Sequence, residues 1–196
     1  MTKINAIRYV ALGLVGLWAG STQAATYAID ASHTTIGFSV RHMVVANVKG
    51  TFDAFSGHID FDPENLSEMK AAATIEVASV NTRDQRRDDH LRNEDFFDAP
   101  NHPQITFTTT RVEGELPNVT LIGDLTIRGV TKEISLPVEV NGPITDPWGN
   151  ERIGLSGSTR INRQDFGVSW SNTLDGGGLV VGDVVTLLIE VEGIKQ

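Results

Sequence analysis

The chain of 196 residues contains no cysteine. Disulfides, thiolate nucleophiles, zinc–thiolate centres and iron–sulfur clusters are therefore excluded at the outset. Positive charge is also short: 16 Lys and Arg stand against 25 Asp and Glu, a formal net charge of -9. A chain with that balance has no excess of basic residues to build a nucleic-acid-binding face, so no nucleic-acid partner is expected. Taken as a whole, the balance also opposes docking on anionic lipid. Internal repeats, low-complexity tracts and linkers are missing, which favours one domain.

Long apolar runs are missing too, apart from residues 9–19 (YVALGLVGLWA). Eleven residues fall short of the roughly 20 needed to span a bilayer. Lys3 and Arg8 precede the run, and small or polar residues 20–25 follow it. That is the layout of a secretory signal peptide, with cleavage expected after Ala24. A single domain over 25–196 would remain, more acidic by the two lost charges and without an integral membrane segment. Export places it in the periplasm.

The signatures of several chemistries are absent. No HExxH or H-x-H occurs among the five histidines, and His33 and His42 fall on opposite faces of any continuous strand. No GxSxG elbow is present, and the triplet Gly176-Gly177-Gly178 neither precedes a helix nor carries GK[ST]. A flexible hairpin loop is the expectation there. No catalytic residue, metal site or cofactor is expected.

What is present is alternation with period two, the mark of half-buried strands. It runs through 34–42, 71–78, 105–110, 119–128, 134–141, 153–162 and 185–192, with one or two further strands in 47–61. Turn signals separate them at Asp62-Pro63-Glu64-Asn65, Pro117-Asn118, Asn141-Gly142-Pro143 and Asp146-Pro147-Trp148-Gly149-Asn150. About eight antiparallel strands with one apolar face predict an all-β domain, either a barrel or a sandwich. Parity sends Phe38, Val40, Phe52, Ile75, Phe107, Leu125, Ile127 and Ile161 to the buried side. These residues either fill an interior or line a cavity for a long apolar ligand.

Residues 83–98 (RDQRRDDHLRNEDFFD) break the pattern and predict a short polar helix over about 84–93. The adjacent Phe96 and Phe97 either plug a barrel mouth or staple a surface loop.

From Tyr27 onward the chain resembles the YceI-like family. The resemblance is carried by Tyr27-x-Ile29-Asp30-x-x-His33-Thr34-x-Ile36-x-Phe38-x-Val40-x-His42, by Arg87-Asp88-x-His90-Leu91 and by Asp95-Phe96-Phe97-Asp98. Gly123-Asp124-Leu125-Thr126-Ile127-x-Gly129, Ile161-x-Arg163-x-Asp165-Phe166-Gly167 and Val181-Gly182-Asp183 extend it. Position 102 is His where many relatives carry an aromatic residue.

The resemblance implies an eight-stranded antiparallel lipocalin-like barrel with a short helical insertion near its mouth. It also implies a tunnel for a long isoprenoid chain, such as a polyprenyl phosphate, an isoprenoid quinone tail or a similar amphiphile, and it allows a homodimer. The expected lining is Phe38, Val40, Phe52, Ile75, Phe96, Phe97, Phe107, Leu125, Ile127, Ile161, Phe166 and Trp170. The expected head-group rim is His42, Arg87, His90, Asp95 and Arg163, and the competing role of that polar set is to lock the helix onto the barrel. The expected function is non-enzymatic lipid binding, for carriage, storage or sequestration. The alternatives are a ligand-free dimeric interaction module and an enzyme acting on such a lipid.

Overall fold

A computed structural model describes residues 24–173, 175 and 177–196. The expected signal peptide, apart from Ala24, lies outside the described residues, as does Gly176 of the glycine triplet.

The strands are β1 (Ala25–Ile29), β2 (Thr35–His42), β3 (Ala46–Phe52), β4 (Phe55–Phe61), β5 (Lys70–Glu76), β6 (Val80–Asn81), β7 (Gln104–Glu115), β8 (Asn118–Ile127), β9 (Val130–Thr145), β10 (Glu151–Asn162) and β11 (Val181–Lys195). Among the described residues one α-helix, α1 (Gln85–Arg92), follows β6. All pairings are antiparallel, and the order β1-β4-β5-β7-β8-β9-β10-β11 closes because β11 pairs back onto β1. The result is a closed eight-stranded barrel. Closure leaves no edge along this ring, which suits a chain with no disulfide to hold it.

The three extra segments are continuations of ring strands. β11 gives its last residues to β1 and residues 181–190 to β2. β2 pairs with β3, and β3 with β6. Thus β1 with β2, β3 with β4, and β5 with β6 are interrupted single walls. Local polar contacts make the interruptions. At the first, the Asp30 carboxylate accepts from the Ser32 backbone N–H (3.0 Å) and hydroxyl (2.6 Å), a competitor to ladder pairing. At the second, Asp53 accepts from Thr51 (2.9 Å) and Asn81 (2.8 Å). At the third, a 3-10 turn spans Val77–Ser79, and the Ser79 hydroxyl donates to the Glu76 carbonyl (2.6 Å).

Three sequence expectations need correction. Asn141-Gly142-Pro143 is not a turn: it lies inside β9, opposite a register shift between Arg152 and Gly154 on β10. Gly142 has φ +101°, so a bulge takes up the residues that looked like a turn. The strand expected over 105–110 runs on to Glu115, past a shift between Thr109 and Arg111. β1, which precedes the first alternating run, begins the wall that β2 continues.

The expected helix is present with Asp84 as its N-cap, the carboxylate accepting from the Arg87 backbone N–H at 3.1 Å. Buried Asp88 holds α1 to the barrel by accepting from the Thr82 backbone N–H (2.8 Å) and hydroxyl (2.5 Å).

Two apolar clusters fill the ends. The one away from the helix is sealed by Tyr27, Ile59, Phe61, Met69 and Ile153, each 1% exposed. The one under the helix gathers Phe38, Phe52, Val77, Val80, Phe96, Ile127 and Phe166.

Candidate functional site

Between the two clusters the barrel is hollow. The cavity there has a volume of about 190 Å³. The wall is carbon almost throughout. Leu121, Leu136, Val138 and Leu155 form its lower part, and Ile36, Ile134, Leu187, Ile189 and Val191 its flanks. Ala71, Ala72 and Ala73 of β5 add little bulk. Toward the helix end, the wall is formed by Leu91, Ile105, Val168, Val181 and Val185. A lining so nearly free of donors and acceptors gives enclosed water little to bond.

All the expected lining residues except Trp170 are on this wall: Phe38, Val40, Phe52, Ile75, Phe96, Phe97, Phe107, Leu125, Ile127, Ile161 and Phe166. Both residues of the Phe96–Phe97 pair turn inward. Phe97 meets the Phe52 ring edge-on with centroids 5.8 Å apart, and Phe52 lies 5.9 Å from Phe38. Trp170 backs the wall instead, 5.2 Å from Phe96.

Two glycines make room for the rings. A Cβ on Gly50 would lie 2.5 Å from the Phe38 ring, and one on Gly123 would lie 2.8 Å from that of Phe107. Parity pointed to Phe38, Val40, Phe52, Ile75, Phe107, Leu125, Ile127 and Ile161 of this wall. The aliphatic lining on β9 and β11 carried the same alternation but was overshadowed by larger side chains.

The expected polar rim is placed differently from the lining. Arg163 is on the cavity wall, 5% exposed. Its guanidinium donates to the carbonyls of Gly182 (3.0 Å), Val168 (2.7 Å), Trp170 (2.7 Å) and Val181 (3.4 Å), and to Asp183 (3.2 Å). Burial pulls its pKa down from the ordinary value, Asp183 opposes that, and an arginine so placed stays charged. Arg87 donates to the Thr82 hydroxyl (2.7 Å) and carbonyl (2.8 Å). His90 pairs with Asp95 at 2.9 Å, and its ring packs edge-on against Phe96 and Trp170. His42 ends β2 and is not on the cavity wall. The structure thus brings Arg163 alone of the five to the cavity. The contacts of Arg87, His90 and Asp95 lock the helical insertion in place.

A second polar cluster lies at the opposite end, assembled from strands distant in sequence and so invisible to spacing. Arg152 donates to Asp146 (2.6 Å), Asp30 (3.1 Å) and Glu192. Hydrogen bonds from Ser32, then His33, hold Asp30 well below the usual carboxylate range. Burial works against the Asp146 carboxylate, but bonds from Arg152, Asn150 and two backbone N–H groups outweigh it and lower its pKa as well. Asp30, His33 and Glu192 have metal-ligand atom types close together, yet the guanidinium already bridges the two carboxylates. Burial, reinforced by Glu151, pushes the Tyr27 phenol up, so it stays a neutral donor to that carboxylate (2.5 Å).

Comparison with known proteins follows from this geometry. The family model described as YceI-like domain matches residues 27–193. The chain is 37% identical over 180 residues to Protein YceI of Escherichia coli O157:H7, covering 91% of each. A crystal structure of a Campylobacter jejuni YceI protein is 40% identical with a TM-score of 0.68, covering 80% of this chain and 90% of that one. A structure from Saccharophagus degradans, described as a polyisoprenoid binding domain, shares the fold at 19% identity and a TM-score of 0.68, covering 89% and 100%.

Proposed function

The chain belongs to the YceI-like domain family, and we propose on that basis that its barrel holds the long apolar chain of an isoprenoid amphiphile. A polyprenyl phosphate or an isoprenoid quinone is the ligand class, and carriage, storage or sequestration in the periplasm is the role. One observation carries the reading: a cavity walled by carbon, running from the sealed floor to Val40 and Val181 near the helix end. Each Å² of apolar surface that a tail and this wall remove from water contributes about 25 cal/mol. That is a reason for a tail to enter and none for a polar metabolite. The polyisoprenoid binding attributed to the Saccharophagus degradans barrel of the same fold is in keeping with it.

The reading is of a binding protein. Arg163 on the wall is held by carbonyls and Asp183, and among the described residues no acid–base pair stands beside it to act on a ligand. Native purification, solvent extraction and mass spectrometry of the extract test the proposal, together with titration of a fluorescent prenyl-chain probe. Co-purifying isoprenoid and saturable probe binding are expected. An empty extract and no probe binding would refute it.

A further inference from the structure

β2 and β3 are joined by a three-residue loop, Met43–Val44–Val45, between the paired residues His42 and Ala46, and within it the Val45 N–H donates to the His42 carbonyl at 3.1 Å, closing a β-turn over 42–45. Both central residues have positive φ, +48° at Met43 and +62° at Val44. Positive φ at both is the mark of the type I′ turn, which calls for Asn-Gly. Valine in the left-handed region is a true outlier. Each non-glycine residue held there is disfavoured on the order of tenfold in an equilibrium constant. The three apolar side chains do not bury themselves in return: Met43, Val44 and Val45 are 41%, 56% and 78% exposed. The chain therefore keeps a strained turn in order to display an apolar tip, and such outliers cluster where function needs them.

The tip stands at the mouth. The Met43 N–H donates to the Val180 carbonyl (2.9 Å), His42 pairs with Val181, and both Val181 and Val40 are cavity wall. Its charge is unlike the rest of the molecule. From Ala31 to Phe52 there is no Asp or Glu, whereas Arg41 and Lys49 flank the tip and are exposed. This occurs in a chain with nine more acids than bases. Across the rim, Asp183 is taken up by Arg163 and Gln164. Of the other exposed large apolar residues, Leu116, Ile144, Trp148 and Val184, the most exposed two, Ile144 and Trp148, lie at the far end beside Asp146, Glu151 and Glu192, where anionic lipid would be repelled.

We infer that the β2–β3 hairpin is a membrane-docking finger: Met43, Val44 and Val45 enter an anionic bilayer surface, Arg41 and Lys49 meet its headgroups, and the cavity mouth is set against the lipid. The overall acidity, which opposes binding to anionic lipid, then acts as an orienting field that keeps every other face away. This inference rests on the tail-holding reading for its purpose, since a mouth on the membrane lets a tail pass without crossing water.

The test is co-sedimentation of the purified protein with phosphatidylethanolamine–phosphatidylglycerol vesicles, against phosphatidylcholine vesicles. Alongside it runs titration of the prenyl probe in vesicle-free buffer. Wild type is expected to partition onto the anionic vesicles, and less so as salt rises. The double substitution Met43→Asn with Val44→Gly supplies the residues that the turn prefers. It should raise Tm, leave probe affinity unchanged and weaken vesicle binding about tenfold or more, since burying one Met or Val is worth roughly that factor. Arg41→Glu with Lys49→Glu should abolish the preference for anionic vesicles. The inference is overturned if wild type does not partition, if the Asn-Gly variant partitions equally well, or if the variant merely converts a dimer to monomer. A wild type that partitions but takes up no probe would refute the tail-holding reading while supporting the hairpin as docking element.

Discussion

The hollow middle of the barrel is best tested by a matched pair of truncations, Ile153→Ala and Ile189→Ala. The two side chains are the same and lie on neighbouring strands, β10 and β11. Ile153 is 1% exposed in the sealed cluster; Ile189 is partly exposed on the cavity wall. Removing three carbons loses about 2.4 kcal/mol of transfer energy when the site is fully buried, at about 0.8 per carbon. A new void in a close-packed region adds to that, so about 4 kcal/mol is expected at Ile153. At Ile189 the void already exists and part of the side chain has no neighbours to lose, so about 1 kcal/mol is expected. The difference, about 3 kcal/mol, corresponds to roughly 6–12 °C in Tm for a chain of this size. Thermal and urea unfolding of delipidated protein measure it. Prenyl ligand at a hundred times its Kd should stabilise wild type by about 2.7 kcal/mol, and Ile189→Ala by less. Equal losses at the two positions in lipid-free protein would mean that Ile189 is packed on all sides, and the cavity argument would fail.

Arg163→Met should destabilise by about 3–5 kcal/mol, because it leaves the carbonyls of Val168, Trp170 and Gly182 buried without their donor. Hydrogen exchange should show the loss concentrated in 163–170. Gly50→Ala puts a Cβ 2.5 Å from the Phe38 ring and 2.8 Å from Thr82, and about 1–3 kcal/mol of overpacking is expected, with weaker probe binding as Phe38 is displaced. The depressed carboxyls of Asp30 and Asp146 contribute stability that is complete above the unfolded Asp pKa, near 4, and is lost as pH falls from there toward their folded values. Asp146→Asn should therefore flatten the acid limb of a stability–pH profile in part, Asp30 supplying the rest; an unchanged limb would remove Asp146 as a source. His33, raised by its bond to Asp30, works in the opposite sense: its contribution is full below the unfolded His pKa, near 6.5, and disappears as pH rises through the folded value. His33→Gln should remove the decline that begins near the unfolded His pKa and, because the His33 bond also lowers Asp30, weaken the acid limb in part.

The barrel walls were legible because a strand with one wet face must alternate, and β2, β8, residues 134–141 of β9 and residues 185–192 of β11 do so without interruption. Legibility failed where the backbone changes phase. In β7 the inward residues are Ile105, Phe107 and Thr109; after the shift beyond Thr109 the inward residue is Val112, so one parity cannot describe the strand. Gly142 hid the continuity of β9 in the same way, since a bulge and a turn use the same residues. The polar rim was harder still. Arginines were placed at the mouth from their position in the chain, but the partners of Arg163 are mostly backbone carbonyls, which exist at every residue and leave no trace in composition. Alternation reports which way a side chain points and is silent on what it meets.

Whether the interior is filled is decided by side-chain size at each level, and one overlooked signal bears on it. Tyr27, Phe61 and Met69 fill the floor, and Phe38, Phe52, Phe96 and Phe97 crowd the helix end. Between them, Ala73 on β5 pairs with Gly57 on β4 and with Phe107 on β7. Gly57 has no room for a side chain, because a Cβ there would meet the Ala72 carbonyl at 2.3 Å and Ile29 at 2.7 Å. Two adjacent walls are thus held to almost no bulk, and β9 and β10, across the ring from them, put Ile134, Leu136, Val138, Leu155 and Ile161 on the wall. An eight-stranded ring is just wide enough that its side chains can close it. With Gly57 and Ala73 on one side and no aromatic opposite, they fall short, and the void follows from the run Ala71-Ala72-Ala73 as directly as the walls follow from alternation.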